Sequence, residues 1–480
     1  MANEYNNALP ERNAKEMATT ETSTANRPIT PHSTRRTSET SSPSTHSSPS
    51  ARQSNLNLSK SLSKDIEKGA FPESISSIPN PQDSPSNEKA SEENDPNIVF
   101  WDGPNDPENP MNWSAFQRWG MVSLVSIITF VTPLASSMFA PGVPQVMQTF
   151  HSTNDMLSGF MLSVYVLGFA FGPMFFAPLS EMYGRLPLYH ICNAVFLVFT
   201  IAAAVSTDMG MFITFRFFMG CFGGAPIVLG GGTIADLIPI QHRFTAMTVW
   251  MMGPTLGPCV GPVLGGVFTE AKGWRWNFWF VAIVTGAVMI LSWILMRETS
   301  GVVILERKAR RLRKETGNPN LRSKLDKGLT PKELFWFSIT RPLKMLFLSP
   351  ICFSMSLYIA VTYAYLYILF TTFTTVYRDQ YGWHGVSTGL SFLGIGIGSF
   401  TSQLAFTWWE NKKVKRRMAK GTLVPEHRLH LMAQWCWAMP VGLFWYGWSV
   451  EKQTHWISPI LATALVGLGM LTNFVSVAPC

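Results

Sequence analysis

The chain has 480 residues, is 46% hydrophobic and carries only 14% charged residues, where soluble domains run at about 25%. That deficit, with 17 Trp and 33 Phe, argues against a soluble domain and predicts an integral membrane protein with aromatic rings at lipid-facing and interfacial positions. The net charge of +8 does not point to nucleic acid, because the basic residues gather in two loops between apolar segments. The six cysteines (192, 221, 259, 352, 436, 480) are scattered, with neither metal-site spacing nor a disulfide framework.

Residues 1–98 are rich in Ser, Thr, Pro and Asn and poor in aromatic and branched apolar residues, so they are expected to form a disordered cytosolic tail. The polar N-terminus lacks the apolar core of a signal peptide. Arg35-Arg36-Thr37-Ser38 has the pattern of a basophilic kinase site, and Ser42-Pro43, Ser48-Pro49 and Ser84-Pro85 that of proline-directed ones, which makes kinases expected partners of the tail.

A turn-rich bridge, 99–118, precedes ten apolar segments: 119–140, 157–179, 186–206, 211–234, 244–268, 276–296, 346–376, 386–408, 431–449 and 456–477. Most have the 18–25 residues that cross a ~30 Å hydrocarbon core at 1.5 Å per residue. The seventh is longer, and tilt would accommodate it. Loop charge gives the orientation: 297–345 holds 13 Lys/Arg and 409–430 holds seven, while the loops of opposite parity hold few, so the N-terminus and the central loop are expected in the cytosol. The layout is a first lobe of six helices (99–296), a basic linker (297–345) and a second lobe of about four (346–480). Within the linker, LERKARRLRKET has two readings at this point: an amphipathic helix along the inner leaflet, or a solvated positive-inside loop.

The fifth segment contains GPTLGPCVGPVLGG, with Gly253, Gly257, Gly261 and Gly265 and Pro254, Pro258 and Pro262 each recurring every fourth residue, followed by Gly266. Each series forms a stripe on one face of a helix. In water, each interior Pro would cost ~3 kcal/mol and each Gly ~1 kcal/mol. In a bilayer both are tolerated, and a glycine stripe lets another helix approach backbone to backbone.

These residues resemble the major facilitator superfamily, and within it the fungal twelve-span drug:proton antiporters, over residues from about 99 to the end. The Gly257-Pro258 to Gly265-Gly266 run is similar to the antiporter motif of the fifth helix. PLSEMYGR (178–185) resembles the loop motif between helices two and three, with Met182 and Leu186 standing where the family usually has basic residues. Arg216 with Gly220, Gly223 and Gly224 resembles the fourth-helix motif, and NDPENPMNWS (105–114), WRWNFW (274–279) and ILERKARRLRKETGN (304–318) resemble further signatures of the fungal group. The resemblance implies an all-α, two-lobed fold of twelve spans. Ten are predicted here, so the second lobe is expected to be incomplete.

Several residues follow as candidates. Arg216 is the clearest charge inside a span, and two readings stand: snorkelling toward the nearby interface, or a fixed charge that influences a proton or substrate step, as the resemblance implies. The resemblance also makes Glu181 and Arg185, with Gly184, a gate pair, although Glu181 also reads as an ordinary charge at a helix end. Asp236, at the cytosolic end of the fourth span, is the leading protonatable candidate, and an exposed loop acid is its alternative reading. A substrate path between the lobes near mid-membrane would draw on Ser136, Ser137, Tyr165, Tyr363, Tyr367, Gln403 and Gln434, and aromatic walls suit amphipathic or weakly cationic molecules. The glycine stripe is expected to pack the two lobes together in the inward-open state.

The expected function is a proton-coupled exporter of drugs, toxins or polyamines, monomeric, without cofactor, in the plasma membrane or alternatively the vacuolar membrane. A nutrient facilitator or importer, and a transport-inactive truncated product or receptor, are the other readings. An enzyme is not expected, since no metal-ligand cluster, nucleophile elbow or phosphate loop is present.

Overall fold

The computed structural model describes residues 97–418 and 434–477, apart from positions 327, 329 and 384. The phosphorylation motifs of the tail lie outside the described residues. Helices begin where a polar cap meets an apolar run. The first, α1 (Ala115–Ser137), opens on a capping box in which Ser114 and Gln117 exchange hydrogen bonds. Asn154 caps α2 (Asp155–Tyr183) and Asp208 caps α4 (Met209–Leu237). Between these, α3 (Arg185–Ala204) follows directly on Gly184, whose φ of +101° turns the chain sharply. The fifth segment is one 33-residue helix, α5 (Ile240–Lys272), with Pro254, Pro258 and Pro262 inside it, and α6 (Arg275–Leu295) closes the first lobe.

The linker's basic stretch is helical, as the first of the two sequence readings expected: it forms α7 (Gly301–Thr316). Part of its apolar face is covered by protein, since Leu305 and Ala309 are buried and Ala309 and Leu312 pack with Val99 and Leu321, while Val302 is exposed. A two-residue parallel ladder, β1 (Ile98–Val99) with β2 (Arg322–Ser323), ties the residues ahead of α1 to the residues after α7. Lys308 is buried in this strap, 2.7 Å from Asp102 and 3.3 Å from Asp106. Burial alone would push the Asp106 carboxyl up, but the N–H groups of Asp102 and Glu108 and the Lys308 ammonium outweigh it and hold it below the usual carboxylate range. Burial likewise works against the Lys308 charge, and the two carboxylates outweigh it, leaving the ammonium above its usual range.

The expected seventh span, 346–376, is found as one long helix starting four residues later, because a separate helix ends just before it. Pro350 cannot continue a helix begun upstream, so the chain breaks at Ser349 into α8 (Pro331–Leu348) and α9 (Pro350–Asp379), with Ser349 capping the second. A short helix, Val386–Leu390, precedes α10 (Leu393–Met418), and α11 (Ala438–Glu451) and α12 (Ile457–Val477) complete the described chain. Eight helices among the described residues are long and apolar enough to cross a bilayer, against ten expected. The difference lies at α11, whose expected start falls outside the described residues, and α12, apolar there only over Ile457–Met470.

Within the first lobe α1 packs on α5 and α2 on α4; within the second, α10 and α11 pack on α12. The two lobes meet where α5 contacts α10 and Val386–Leu390. This corrects the expectation for the glycine stripe. Gly253, Gly257, Gly261 and Gly265 face Ser126, Phe130, Leu134, Ser137 and Met138 of α1, so the stripe packs one lobe internally. Contact with the other lobe falls on the neighbouring face: Gly266 meets Gly385 and Val386, Pro262 and Val263 meet Gly389, and Cys259 meets Gly396. A side chain in place of Gly266 would strike the Gly385 carbonyl, at 2.7 Å from its Cβ.

Candidate functional site

Between the lobes lies a cavity of about 480 Å³, within the usual range for small-molecule sites. Its walls come from Pro133 of α1, Val166, Phe169 and Ala170 of α2, Ile227 of α4, Met251, Thr255, Pro258 and Cys259 of α5, Ser356, Ala360, Tyr363, Tyr367 and Phe370 of α9, and Ile395 and Ser399 of α10. No charged side chain lines it among the described residues. The Thr255 hydroxyl donates to its own helix, at Met251, and Ser399 donates across to Gly467 of α12.

Two of the expected path residues, Tyr363 and Tyr367, line this cavity, and Ser136 closes it. The Ser136 and Tyr367 hydroxyls hydrogen bond at 2.8 Å, joining the end of α1 to α9. Ser137, one residue on, faces α5 and bonds the carbonyls of Pro133 and Leu134. Tyr165 is buried behind the wall, edge-on to Phe169, and its hydroxyl donates to the Thr132 carbonyl. Gln403 is buried between α10 and α5, donating to Thr248, and Gln434 is exposed away from the cavity. Sequence placed these four by polarity at mid-span, which does not resolve helix face.

Arg216 does not snorkel. It is fully buried, and its guanidinium donates to the carbonyls of Met161 (3.0 Å), Ala135 (3.4 Å) and Ser136 (3.1 Å). The rings of Phe139 and Tyr165 lie 4.9 and 5.1 Å from it. Its partners among the described residues are carbonyls and ring faces, not a carboxylate. Two of the three carbonyls Arg216 grips, those of Ala135 and Ser136, belong to the last turn of α1, which carries Ser136 to Tyr367.

At the end of the bundle that carries α7, here the linker face, the expected Glu181–Arg185 gate pair does not form. Arg185 instead reaches Asp236 at 3.4 Å and the Ser180 hydroxyl, while Glu181 stands 3.5 Å from Ser338 of α8. Gly184 is needed here: a Cβ on it would collide with the Glu298 carboxylate. Glu298 was not singled out from the sequence. It accepts from the backbone N–H groups of Arg185 and Leu186 at 2.9 and 3.2 Å, and from Thr299 and Ser300. Since α3 has no side-chain cap of its own, Glu298 supplies one from after α6, meeting the positive end of the helix dipole. An acid just past an apolar span reads as solvated; the signal that could have found it is the bare glycine start of α3. Glu181, Arg185 and Asp236, with Trp101, Asn109 and Thr299, line a second hollow of about 420 Å³. At the opposite, far face a further unanticipated acid, Glu270 at the end of α5, accepts from the Val386 N–H at 2.9 Å, across the lobe contact. No cluster of potential metal ligands occurs among the described residues.

Residues 125–480 match the family model described as the Major Facilitator Superfamily. Over 390 residues the chain is 49% identical to the MFS-type transporter tndD of Aspergillus flavipes, covering 80% of this chain and 72% of that protein. It is 48% identical over 382 residues to the efflux pump radE of Floropilus chiversii, covering 79% of this chain and 71% of that one. The xylose transporter XylE from E. coli, in a partially occluded inward-open conformation, superposes with a TM-score of 0.53 over 75% of this chain and 85% of its own, at 14% identity, a likeness of fold alone.

Proposed function

This chain belongs to the major facilitator superfamily and is a multi-pass membrane transporter rather than an enzyme, and we propose that it exports small organic molecules in exchange for protons by alternating access. The observation that carries the reading is the uncharged cavity between the lobes, closed toward the far face by Ser136–Tyr367 and by the Gly266–Gly385 contact. A relative of 48% identity is named an efflux pump, which supports the outward direction. The linker face is the cytosolic one in this reading, because its loops carry the basic residues. The membrane is the plasma membrane, and the protein acts as a monomer without cofactor.

Proton coupling needs a group that can lose its proton in the working range, which an arginine does not do. Asp236 meets the requirement: its carboxyl is held by Arg185 at the mouth of α4, next to Gly232, where a Cβ would touch the guanidinium. Protonating it would free Arg185 and loosen the α2–α3 turn, a change that favours movement of the linker face.

The test is efflux of a loaded dye from cells lacking their own exporters, with the proton gradient intact and collapsed. Gradient-dependent efflux that Asp236→Asn uncouples supports the proposal. Efflux indifferent to the gradient returns the protein to a facilitator.

A further inference from the structure

Granting that the cavity is the transport site, we propose that it selects neutral or weakly acidic aromatic molecules that carry a hydroxyl, and discriminates against cations, polyamines included. The cavity offers a cation nothing that replaces its hydration: no carboxylate lines it among the described residues. Nearby charge has the wrong sign. Arg216 holds the Ser136 carbonyl at 3.1 Å, the Ser136 hydroxyl holds Tyr367 at 2.8 Å, and the Tyr367 ring is part of the wall. A full positive charge, bound among the described residues by dipoles and ring faces, thus lies two hydrogen bonds behind the cavity wall, on either side of Ser136, and repels a second cation in a medium that screens poorly. Through space it likewise favours negative charge developing on an oxygen near Tyr367.

The remaining polar groups fit a hydroxylated ring. Thr255 and Ser399 have donated their protons to Met251 and Gly467, so their oxygens face an occupant as acceptors. A phenol O–H can donate to either, while its ring lies against Phe169 of one lobe and Phe370 of the other. A polyamine also brings donors, but each arrives with a charge that the walls leave unpaired.

The experiment uses the full chain in lipid nanodiscs and three radiolabelled probes: bisphenol A, tetraphenylphosphonium and spermidine. Binding is measured without a gradient, so it tests selectivity apart from antiport; a parallel proteoliposome assay with an imposed pH gradient tests antiport itself. The expected result is bisphenol A binding at least tenfold tighter than either cation. Thr255→Glu, which adds a carboxylate to the wall at a position outside the Arg216 chain, is expected to reverse the order for tetraphenylphosphonium, and Ser399→Asp is the second variant should the first fail to fold. Equal or tighter binding of a cation by the unaltered chain, or no binding of bisphenol A, overturns the inference. Selective binding with gradient-independent transport overturns the antiport reading and leaves the selectivity standing.

Discussion

The two ends of the molecule are held together by different physics, the far face between the lobes and the linker face within the first lobe and its strap. At the far face the lobes meet backbone to backbone, with Gly266 on Gly385 and Gly389 on Pro262, and deeper in, beside the cavity, Gly396 lies against the Cys259 side chain. Such a contact depends on the absence of side chains, and it is close to indifferent to pH and salt. At the linker face the contacts are charged: Arg185 with Asp236, Glu298 with the start of α3, Lys308 with Asp102 and Asp106. These depend on protonation, and each carries a desolvation cost that its partners must offset. The far-face seal is mostly glycine against backbone, with the single carboxylate of Glu270 set on the Val386 N–H beside it, while the other charged contacts named stand at the linker face.

The largest effect tests the division between internal packing and seam. Gly257→Leu drives a side chain into the Phe130 carbonyl and Leu134 of α1, and should cost more than ~3 kcal/mol, so that little folded protein is recovered on size exclusion. Gly266→Leu is aimed at the seam instead. It should leave the yield intact, hold the far face apart and expose Cys259 to an impermeant maleimide from that side, in a chain keeping only that cysteine. Recovery of both variants in equal amounts would erase the distinction drawn between the two faces of α5.

Glu298→Ala comes next. It strands the N–H groups of Arg185, Leu186, Thr299 and Ser300 and should lower stability by about 2–3 kcal/mol, read as a fall in Tm that Glu298→Gln partly restores. Ser136→Ala removes a single hydrogen bond between lobes, worth about 1 kcal/mol, and should raise the far-face labelling of Cys259 several-fold without moving Tm.

The smallest effect concerns pH. Asp106 is depressed when folded, so its contribution is present above the unfolded carboxylate range near 3.8 and fades as pH falls through its lowered folded value. Lys308 is raised, so its contribution is complete below its unfolded value near 10.5 and fades as pH rises through the folded one. Limited proteolysis around residues 97–113 should therefore be flat from about pH 5 to 9. A strap that loosens near pH 6 to 7 would mean another group governs it.

Much of this was legible in the sequence because bilayer thickness and helix period constrain it strongly. The apolar runs gave the first six helices to within a few residues and the two-lobed membrane layout, and the transporter fold followed from the family resemblance of the helix and loop motifs. What the residues could not supply was which face of a helix meets which neighbour. The stripe of α5 was read as a contact between lobes because any small-residue stripe invites a partner helix, and sequence does not say whether that partner is α1 or α10. Glu181 was paired with Arg185 on the family resemblance, whereas Asp236 and Glu298 reach that arginine's turn from 51 and 113 residues away. Tyr363 and Tyr367 were found because four residues apart on one helix they share a face.

The strap around Lys308 also fixes how far the lobes can part. Lys324 is the last residue bonded back to β1, through its N–H to the Val99 carbonyl, and α8 starts at Pro331. Residues 297–324 of the 49-residue linker are therefore fastened to the first lobe, α8 also packs on α2, and six residues separate Lys324 from α8. At about 3.3–3.6 Å per residue that leash pays out roughly 20 Å at most. Lengthening it, rather than altering any gate residue, would change the amplitude of the rocking motion without touching its chemistry.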